Sequence, residues 1–294
     1  MNLQRTLHGI RSLEIQGAEQ VATAALLVIK ETMNKSKANT QQAVLKDAER
    51  IRQKLVNTRS TEPELRNYLN IIMRFMRSYN KKNLKAATQK KIMEVLKEKE
   101  LRHQKIVAHG VKLLKRNMVI YTHCHSSTVN DILKAAKRKR IRVRNTETRP
   151  LFQGRCTAKE LVKAKIPVTH FVDSAMVEAV KKANIILIGA DAVTKDGVYN
   201  KIGSELLGLL ADHFHIPLYV CASQMKFDLN KEKIEQRSPT EIWDNAPNGI
   251  TIHNPAFELI HFKHVKRIVC EEGVLKPKEF MRQARRLSNT KRNS

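Results

Sequence analysis

The chain has 294 residues, of which 41% are hydrophobic, so it can form one or two domains with packed cores. No apolar run approaches the roughly 20 residues of a membrane-spanning helix, so we expect no membrane partner. The four cysteines are scattered without a Cys-x-x-Cys pair. This spacing argues against disulfides and structural zinc and predicts a reducing, cytoplasmic location.

The formal net charge of +27 is the most unusual bulk property of the chain. A field of this sign attracts RNA, ribosomes or phosphorylated metabolites over long distances. Aromatic side chains are not interleaved with the basic ones, as single-strand binding requires, so a nucleic acid or ribosome is not the favoured partner. A source organism whose whole proteome is basic is the alternative explanation.

Residues 1–115 have the pattern of a helical bundle. Apolar residues recur at helical spacing early in this part, and the stretches 43–55, 63–76 and 86–114 repeat the pattern among many Lys and Glu residues. Glycines are few and strand-like alternation is missing. We therefore predict an N-terminal helical domain over 1–115.

From residue 116 onward, short apolar runs alternate with helical patterns. Strands are predicted at 118–122, 141–146, 168–172, 185–189, 218–222, 250–252 and 267–270, and helices at 127–139, 157–165, 174–183 and 204–215. Such alternation implies right-handed crossovers and a doubly wound, mostly parallel sheet. The predicted fold class is α/β, a helical bundle followed by a Rossmann-like domain over 116–294, with a basic tail that is frayed from Ser288.

Two of the predicted strands end in a reactive side chain. Cys124 follows the first strand and Asp191 follows the fourth, and the carboxyl ends of parallel strands border the crevice where ligands bind. Amides at the helix that opens at Ser126 could hold a phosphate and lower the thiol pKa. One interpretation is a proton-transfer pair. The other is a buried structural cysteine and a turn-capping aspartate.

Polar residues near other strand ends are candidates for anion binding. The segment 196–204 is predicted as a turn, a polar stretch and a helix start, where Asn200, Lys201 and the amides near Gly203 would hold an anion. Arg149 follows another strand. It is predicted either to grip a phosphate through two parallel hydrogen bonds or to lie in a solvated loop.

Four remaining residues of chemical interest are predicted to be structural. Asp173 precedes a helix and is predicted to cap it. Cys156, Cys221 and Cys270 lack the setting of Cys124, and we predict that they lie in the core.

Eight short motifs together resemble one known family. They are THCHS at 122–126, TETRP at 146–150, QG at 153–154, TAKEL at 157–161, VDSA at 172–175, GAD at 189–191, NKIG at 200–203 and NPAF at 254–257. Their order and spacing are similar to those of translation initiation factor 2B α, β and δ subunits, methylthioribose-1-phosphate isomerase and archaeal ribose-1,5-bisphosphate isomerase. The chain most resembles the archaeal ribose-1,5-bisphosphate isomerase branch. A looser N-terminal match rests on 15–18 and 58–59.

The resemblance implies an enzyme. Cys124 and Asp191 would form its catalytic pair, of which regulatory subunits commonly lack one or both members. The implied substrate and phosphate contacts are Gln16, Gly17, Ala18, Arg59, Ser126, Arg149, Asn200 and Lys201, with no metal and no cofactor. The implied reaction converts ribose 1,5-bisphosphate to ribulose 1,5-bisphosphate in nucleotide salvage. The alternative is an archaeal 2B-like regulatory subunit that binds an initiation factor or a nucleotide.

The resemblance also implies partners and shows two departures. Family members form dimers or hexamers, so we expect a homo-oligomer, with a nucleotide as effector. The family isomerases usually carry Arg-Gly-Ala-Gly near the N terminus, whereas this chain has Gln at position 16 and Glu at position 19. The missing arginine removes a favourable charge for a doubly phosphorylated sugar, for which Arg59, Arg149 and Lys201 would compensate. Glu258 likewise replaces the customary aspartate.

Overall fold

The structure, a computed structural model, describes residues 2–12, 14–15, 17–58, 62–229 and 235–293, the last six without their side chains. Gln16 and Arg59, two of the predicted phosphate contacts, lie outside the described residues. The chain divides into two compact units, Met1–Arg102 with Ser288–Ser294, and His103–Leu287. Within the described ranges, no helix is both long enough and apolar enough to cross a membrane.

The first unit is helical. Its helices are α1 (Leu3–Arg11), α2 (Ala18–Lys35), α3 (Gln41–Val56), α4 (Pro63–Ser78) and α5 (Leu84–Leu113), which continues into the second unit. Apolar residues at helical spacing, such as Leu26, Ile29, Leu69 and Ile72, are fully buried between these helices. The three helices predicted at 43–55, 63–76 and 86–114 are confirmed as α3, α4 and α5.

The second unit is a doubly wound α/β structure. Its strands are β1 (Val119–Thr122), β2 (Arg142–Thr146), β3 (Val168–Phe171), β4 (Ile185–Ile188), β5 (Ala192–Val193), β6 (Gly197–Lys201), β7 (Leu218–Cys221), β8 (Phe257–His261), β9 (Arg267–Cys270) and β10 (Gly273–Leu275). Its helices are α6 (Ser127–Ala135), α7 (Gln153–Lys163), α8 (Met176–Val180), α9 (Ser204–His213) and α10 (Pro277–Asn293). Seven strands form the main sheet in the order β10-β9-β7-β4-β1-β2-β3, parallel except for β10.

Helices on both faces explain why the central strands are apolar without alternation. All four residues of β4 are buried. Ile185 and Leu187 pack into one hydrophobic cluster, whereas Ile186 and Ile188 pack into the cluster on the opposite face. Successive side chains of a strand point to opposite faces, so a strand covered on both sides must be apolar at every position. The predicted mostly parallel sheet is confirmed.

A second, three-stranded antiparallel sheet, in the order β5-β6-β8, was not predicted. The expected turn and polar stretch at 196–204 is instead largely β6, which pairs with β5 on one side and β8 on the other. The strand predicted at 250–252 is wrong, because that segment is irregular and β8 begins at Phe257. Helix α10 was also missed, and residues 288–293 of the predicted frayed tail belong to it.

Candidate active site

Cys124 lies directly beyond β1 in a strained backbone conformation. Its φ of 63° falls in the left-handed region, which costs a residue with a Cβ roughly 1–2 kcal/mol. Two threonine hydroxyls hold it there: Thr148 Oγ1 accepts a hydrogen bond from the Cys124 amide at 3.1 Å, and Thr157 Oγ1 donates one to the Cys124 carbonyl at 2.9 Å. The backbone of Cys124 is thus held by the loop after β2 and by α7.

Asp173 holds the loop that carries Thr148. One carboxylate oxygen of Asp173 accepts from the Thr148 amide at 2.9 Å, and the other accepts from the Arg149 amide at 2.7 Å. The prediction that Asp173 caps its own helix is wrong, because the residue at the cap is Val172 and no side chain caps that turn. The carboxylate instead joins the ends of β2 and β3 beside the cysteine.

His123 connects β1 to the small antiparallel sheet. This residue is buried, and its Nε2 lies 2.8 Å from the Ile202 carbonyl oxygen, so Nε2 carries the proton. Burial lowers the pKa of His123 and keeps the ring neutral. Gly203 is required beside the ring, since its φ is 97° and a Cβ there would lie 3.0 Å from His123 Nε2. The histidine therefore fixes the end of β6 next to Cys124.

The small sheet positions Asp191 and Lys201. The Asp191 amide donates to the Tyr199 carbonyl at 2.9 Å, which places Asp191 at the start of the β5–β6 pairing. Lys201 ends β6, is buried, and holds its Nζ 5.0 Å from the centre of the Phe257 ring. Asn200, also buried, donates to Ser204 Oγ at 2.9 Å.

The charges of Asp191 and Lys201 both act on the Cys124 thiol. Burial is the largest cause of its pKa shift and, with a smaller contribution from the Asp191 carboxylate, raises the pKa of the thiol to about 11. The Lys201 ammonium and the His125 amide oppose this rise. The sulfur therefore carries its proton near neutral pH. The two residues predicted as a proton-transfer pair follow β1 and β4, which are neighbouring parallel strands, and so lie at the same edge of the main sheet.

The amides near Gly203 already have an anionic partner, which changes the predicted anion site. Glu258 Oε1 accepts a hydrogen bond from the Glu205 amide at 2.6 Å, in the first turn of α9. Burial raises the pKa of Glu258, while the amides of Glu205, Gly203 and Ser204 lower it. The carboxylate that replaces the family's aspartate thus serves as the cap of α9.

The other predicted contacts occupy varied positions. Ser126 is the N-cap of α6 and accepts from the Val129 amide at 3.4 Å. Arg149 is exposed, and its guanidinium donates to the carbonyls of Pro150 and Ile242. Gly17 and Ala18 begin α2 in the first unit.

The cysteines other than Cys124 divide into two groups. Cys221 and Cys270 are buried, as predicted, whereas Cys156 is exposed, so its assignment to the core is wrong. It lies on the solvent side of α7, between positions that carry charged or polar residues.

Sequence reasoning missed the network that supports Thr157. The Thr157 hydroxyl, which donates to the Cys124 carbonyl, also lies 3.1 Å from His125 Nδ1. His125 Nε2 in turn faces Glu160 Oε1 at 3.6 Å, and Glu160 Oε2 accepts from Asn130 Nδ2 at 3.0 Å. The spacing of these residues gives no sign of the network, which depends on α6 and α7 packing side by side.

We predict that Gly189→Ala destabilises the protein because Ser126 leaves no room for a side chain. A Cβ at position 189 would lie 2.7 Å from Ser126 Oγ, and overpacking of this kind costs about 1–3 kcal/mol. Adding Ser126→Gly should recover most of the loss, since glycine at an N-cap costs only a few tenths of a kcal/mol. Urea unfolding of the wild type, the two single variants and the double variant measures the effect. A double variant as unstable as Gly189→Ala alone would contradict the contact.

We also predict that Thr157→Val lowers the free energy of unfolding by about 1–3 kcal/mol, because it leaves the Cys124 carbonyl and His125 Nδ1 without their hydroxyl partner. Thr169→Val, on an exposed position of β3, is the matched control and should change stability by less than about 0.5 kcal/mol. Equal effects of the two substitutions on urea unfolding would rule out a special role of Thr157.

Comparisons with known proteins identify the family. The model of the initiation factor 2 subunit family matches residues 14–277. Ribose 1,5-bisphosphate isomerase of Pyrococcus furiosus is 32% identical, over 91% of this chain and 88% of the relative. Methylthioribose-1-phosphate isomerase of Pelotomaculum thermopropionicum is 30% identical, over 91% and 81%. The crystal structure of translation initiation factor eIF-2B from Pyrococcus horikoshii is 26% identical, with a TM-score of 0.83 over 95% of this chain and 98% of that one. The chain therefore belongs to the initiation factor 2 subunit family.

Proposed function

We propose that the protein is an aldose–ketose isomerase that acts on a sugar 1-phosphate, with ribose 1,5-bisphosphate as substrate and ribulose 1,5-bisphosphate as product. The observation that carries this proposal is that Cys124 and Asp191 follow the carboxyl ends of β1 and β4, which are neighbouring parallel strands, so that both residues lie at the same edge of the main sheet. Relatives at 32% and 30% identity are named as isomerases of ribose 1,5-bisphosphate and methylthioribose 1-phosphate, and both names support this class of reaction.

The chemistry of a sugar 1-phosphate requires two proton-transfer groups. The phosphate on C1 prevents ordinary ring opening, so the bond between C1 and the ring oxygen must break while C2 loses its proton and the ring oxygen gains one. The resulting enol phosphate becomes the ketose when C1 gains a proton and the C2 hydroxyl loses one. One group must exchange protons with carbon, and the other with oxygen.

We assign the carbon protons to Cys124 and the oxygen protons to Asp191. The resting pair holds one proton, and burial keeps it on sulfur. Transfer of this proton from Cys124 to Asp191 leaves a thiolate and a carboxylic acid. The thiolate is a strong base because the thiol has so high a pKa, and the carboxylic acid can protonate the ring oxygen. The Lys201 ammonium, which lowers the thiol pKa, would stabilise that thiolate. Each group returns to its starting protonation state after one turnover.

The residues around the pair would bind the phosphate groups. Lys201 and Arg149 supply positive charge beside the ends of the parallel strands, and Ser126 opens α6 there. Gln16 stands where the family isomerases have an arginine, so one positive charge for a second phosphate is missing. Methylthioribose 1-phosphate has a single phosphate and is therefore the alternative substrate. The homo-oligomer and the nucleotide effector remain predictions from the resemblance, and the cytoplasmic location remains a prediction from the cysteine spacing.

We predict that Cys124→Ser and Asp191→Asn retain the fold and lose about 10²–10⁴-fold in turnover, the usual contribution of a positioned acid or base. Each purified variant is incubated with ribose 1,5-bisphosphate or methylthioribose 1-phosphate, and ketose formation is followed. Lys159→Gln, which changes an exposed side chain on α7, is the control and should keep full activity. Unchanged turnover in either of the first two variants would refute their assigned roles.

The same assay separates the enzyme from a regulatory subunit. The structural relative of 26% identity is named as a translation initiation factor, so a regulatory subunit is the second candidate function. Ketose formation from either sugar by the wild-type protein identifies the isomerase. A lack of product from both sugars would favour a 2B-like protein that binds an initiation factor or a nucleotide.

A further inference from the structure

The loops that lead into the six parallel strands carry charge of one sign only. These loops are 114–118, 136–141, 164–167, 181–184, 214–217 and 262–266. Together they contain eleven Lys or Arg residues and no Asp or Glu. Because the strands are parallel, the six loops lie at the same edge of the main sheet, opposite the edge that carries Cys124. We call this surface the basic edge.

The opposite edge of the same sheet has the reverse composition. The loops that leave the six strands are 123–126, 147–152, 172–175, 189–191, 222–223 and 271–272. They contain five acidic residues and one cation, Arg149, and two further cations, Lys201 and Lys226, reach this edge from outside these loops. A uniformly basic proteome would spread positive charge over both edges, so it does not explain this segregation. The asymmetry indicates a surface adapted to a polyanion.

Most of these cations are available to a partner. Ten of the eleven are exposed; the exception is Lys139, whose Nζ donates to the carbonyls of Val111 and Leu114 at the end of α5. Lys181 and Lys182 pair with Glu178. The other eight form no ion pair within the part of the chain that the structure describes. Their mutual repulsion is therefore uncompensated by acidic neighbours.

The dimensions of the basic edge fit a nucleic-acid duplex. Six strands about 4.8 Å apart span roughly 24 Å, and duplex DNA carries one negative charge per about 1.7 Å of its axis, so on the order of 14 phosphate charges would face this length. Only Phe214 and Phe262 are aromatic in these loops, and both pack partly buried against the core, which leaves no platform for stacking single-stranded bases. None of the exposed large hydrophobic residues lies in these loops, which disfavours insertion into a lipid surface.

We propose that the basic edge binds the phosphate backbone of a double-stranded nucleic acid, without reading its sequence. From the sequence alone, a nucleic-acid partner was not favoured, because the single-strand signature is missing. The fold changes this conclusion by gathering cations from five separate segments onto one edge. The binding surface is independent of the proposed isomerase site.

The test measures binding of the full chain to fluorescein-labelled 20-base-pair RNA and DNA duplexes by anisotropy, at 50–200 mM KCl. The edge variant combines Arg116→Glu, Lys137→Glu and Arg138→Glu. The control variant combines Lys81→Glu, Lys82→Glu and Lys90→Glu, which are exposed residues of the first unit and change the net charge by the same amount. Lys263→Glu with Lys266→Glu provides a second edge variant, at the other end of the same surface. Thermal unfolding confirms that each variant is folded.

We expect the wild-type chain to bind at least one duplex. The edge variant should bind at least 30-fold more weakly at 100 mM KCl, with a slope of log affinity against log salt that is smaller by about 3, since each lost phosphate contact removes about one unit. The control variant should lose no more than about threefold. Equal losses in the edge and control variants would overturn the proposal, as would a wild-type chain that binds neither duplex at 50 mM KCl. Binding to phosphatidylserine vesicles in place of either duplex would also overturn it.

Discussion

Two hydrogen bonds to the backbone of one residue organise the catalytic end of the sheet. The amide and the carbonyl of Cys124 are held by the hydroxyls of Thr148 and Thr157, and these bonds keep the residue in a left-handed conformation that it would not adopt unaided. Asp173 supports Thr148, and His125 supports Thr157. The loops after β1, β2 and β3 and helix α7 therefore all hold the backbone of Cys124, directly or through one intervening side chain. The charges of Asp191 and Lys201, which the small antiparallel sheet positions, act on this thiol.

The sequence predicted the main sheet because its strands are covered on both faces. Every residue of β4 must be apolar, and such runs are visible without any knowledge of their neighbours. The small sheet was missed for the opposite reason. β6 contains Asn200 and Lys201, which indicate a loop, yet all five of its residues are buried between β5, β8 and the main sheet. Polar side chains are tolerated there because specific partners satisfy them, as Ser204 does for Asn200, and a sequence pattern does not reveal such partners.

The candidate site was predictable to the extent that it follows strand ends. Cys124 and Asp191 were found because they come directly after buried strands, and their catalytic roles came from resemblance. Roles that depend on contacts between distant segments were not found. Asp173 bonds to amides about 25 positions away, and Glu258, which lies on β8, accepts a hydrogen bond from an amide in the first turn of α9, 53 positions away. Asp173 has an ordinary local explanation in the sequence, as a helix cap, and only the fold shows which amides the two carboxylates reach.

The central claim is that the Cys124 sulfur and the Asp191 carboxylate share one site. Its most direct test is the pKa of the Cys124 thiol, measured from the pH dependence of alkylation in a Cys156→Ser background, with and without Asp191→Asn. We predict a thiol whose reactivity is still rising at pH 10, consistent with a pKa of about 11, and a lower pKa once the carboxylate is removed. A pKa near the usual value of about 8.5, identical in the two proteins, would contradict the account.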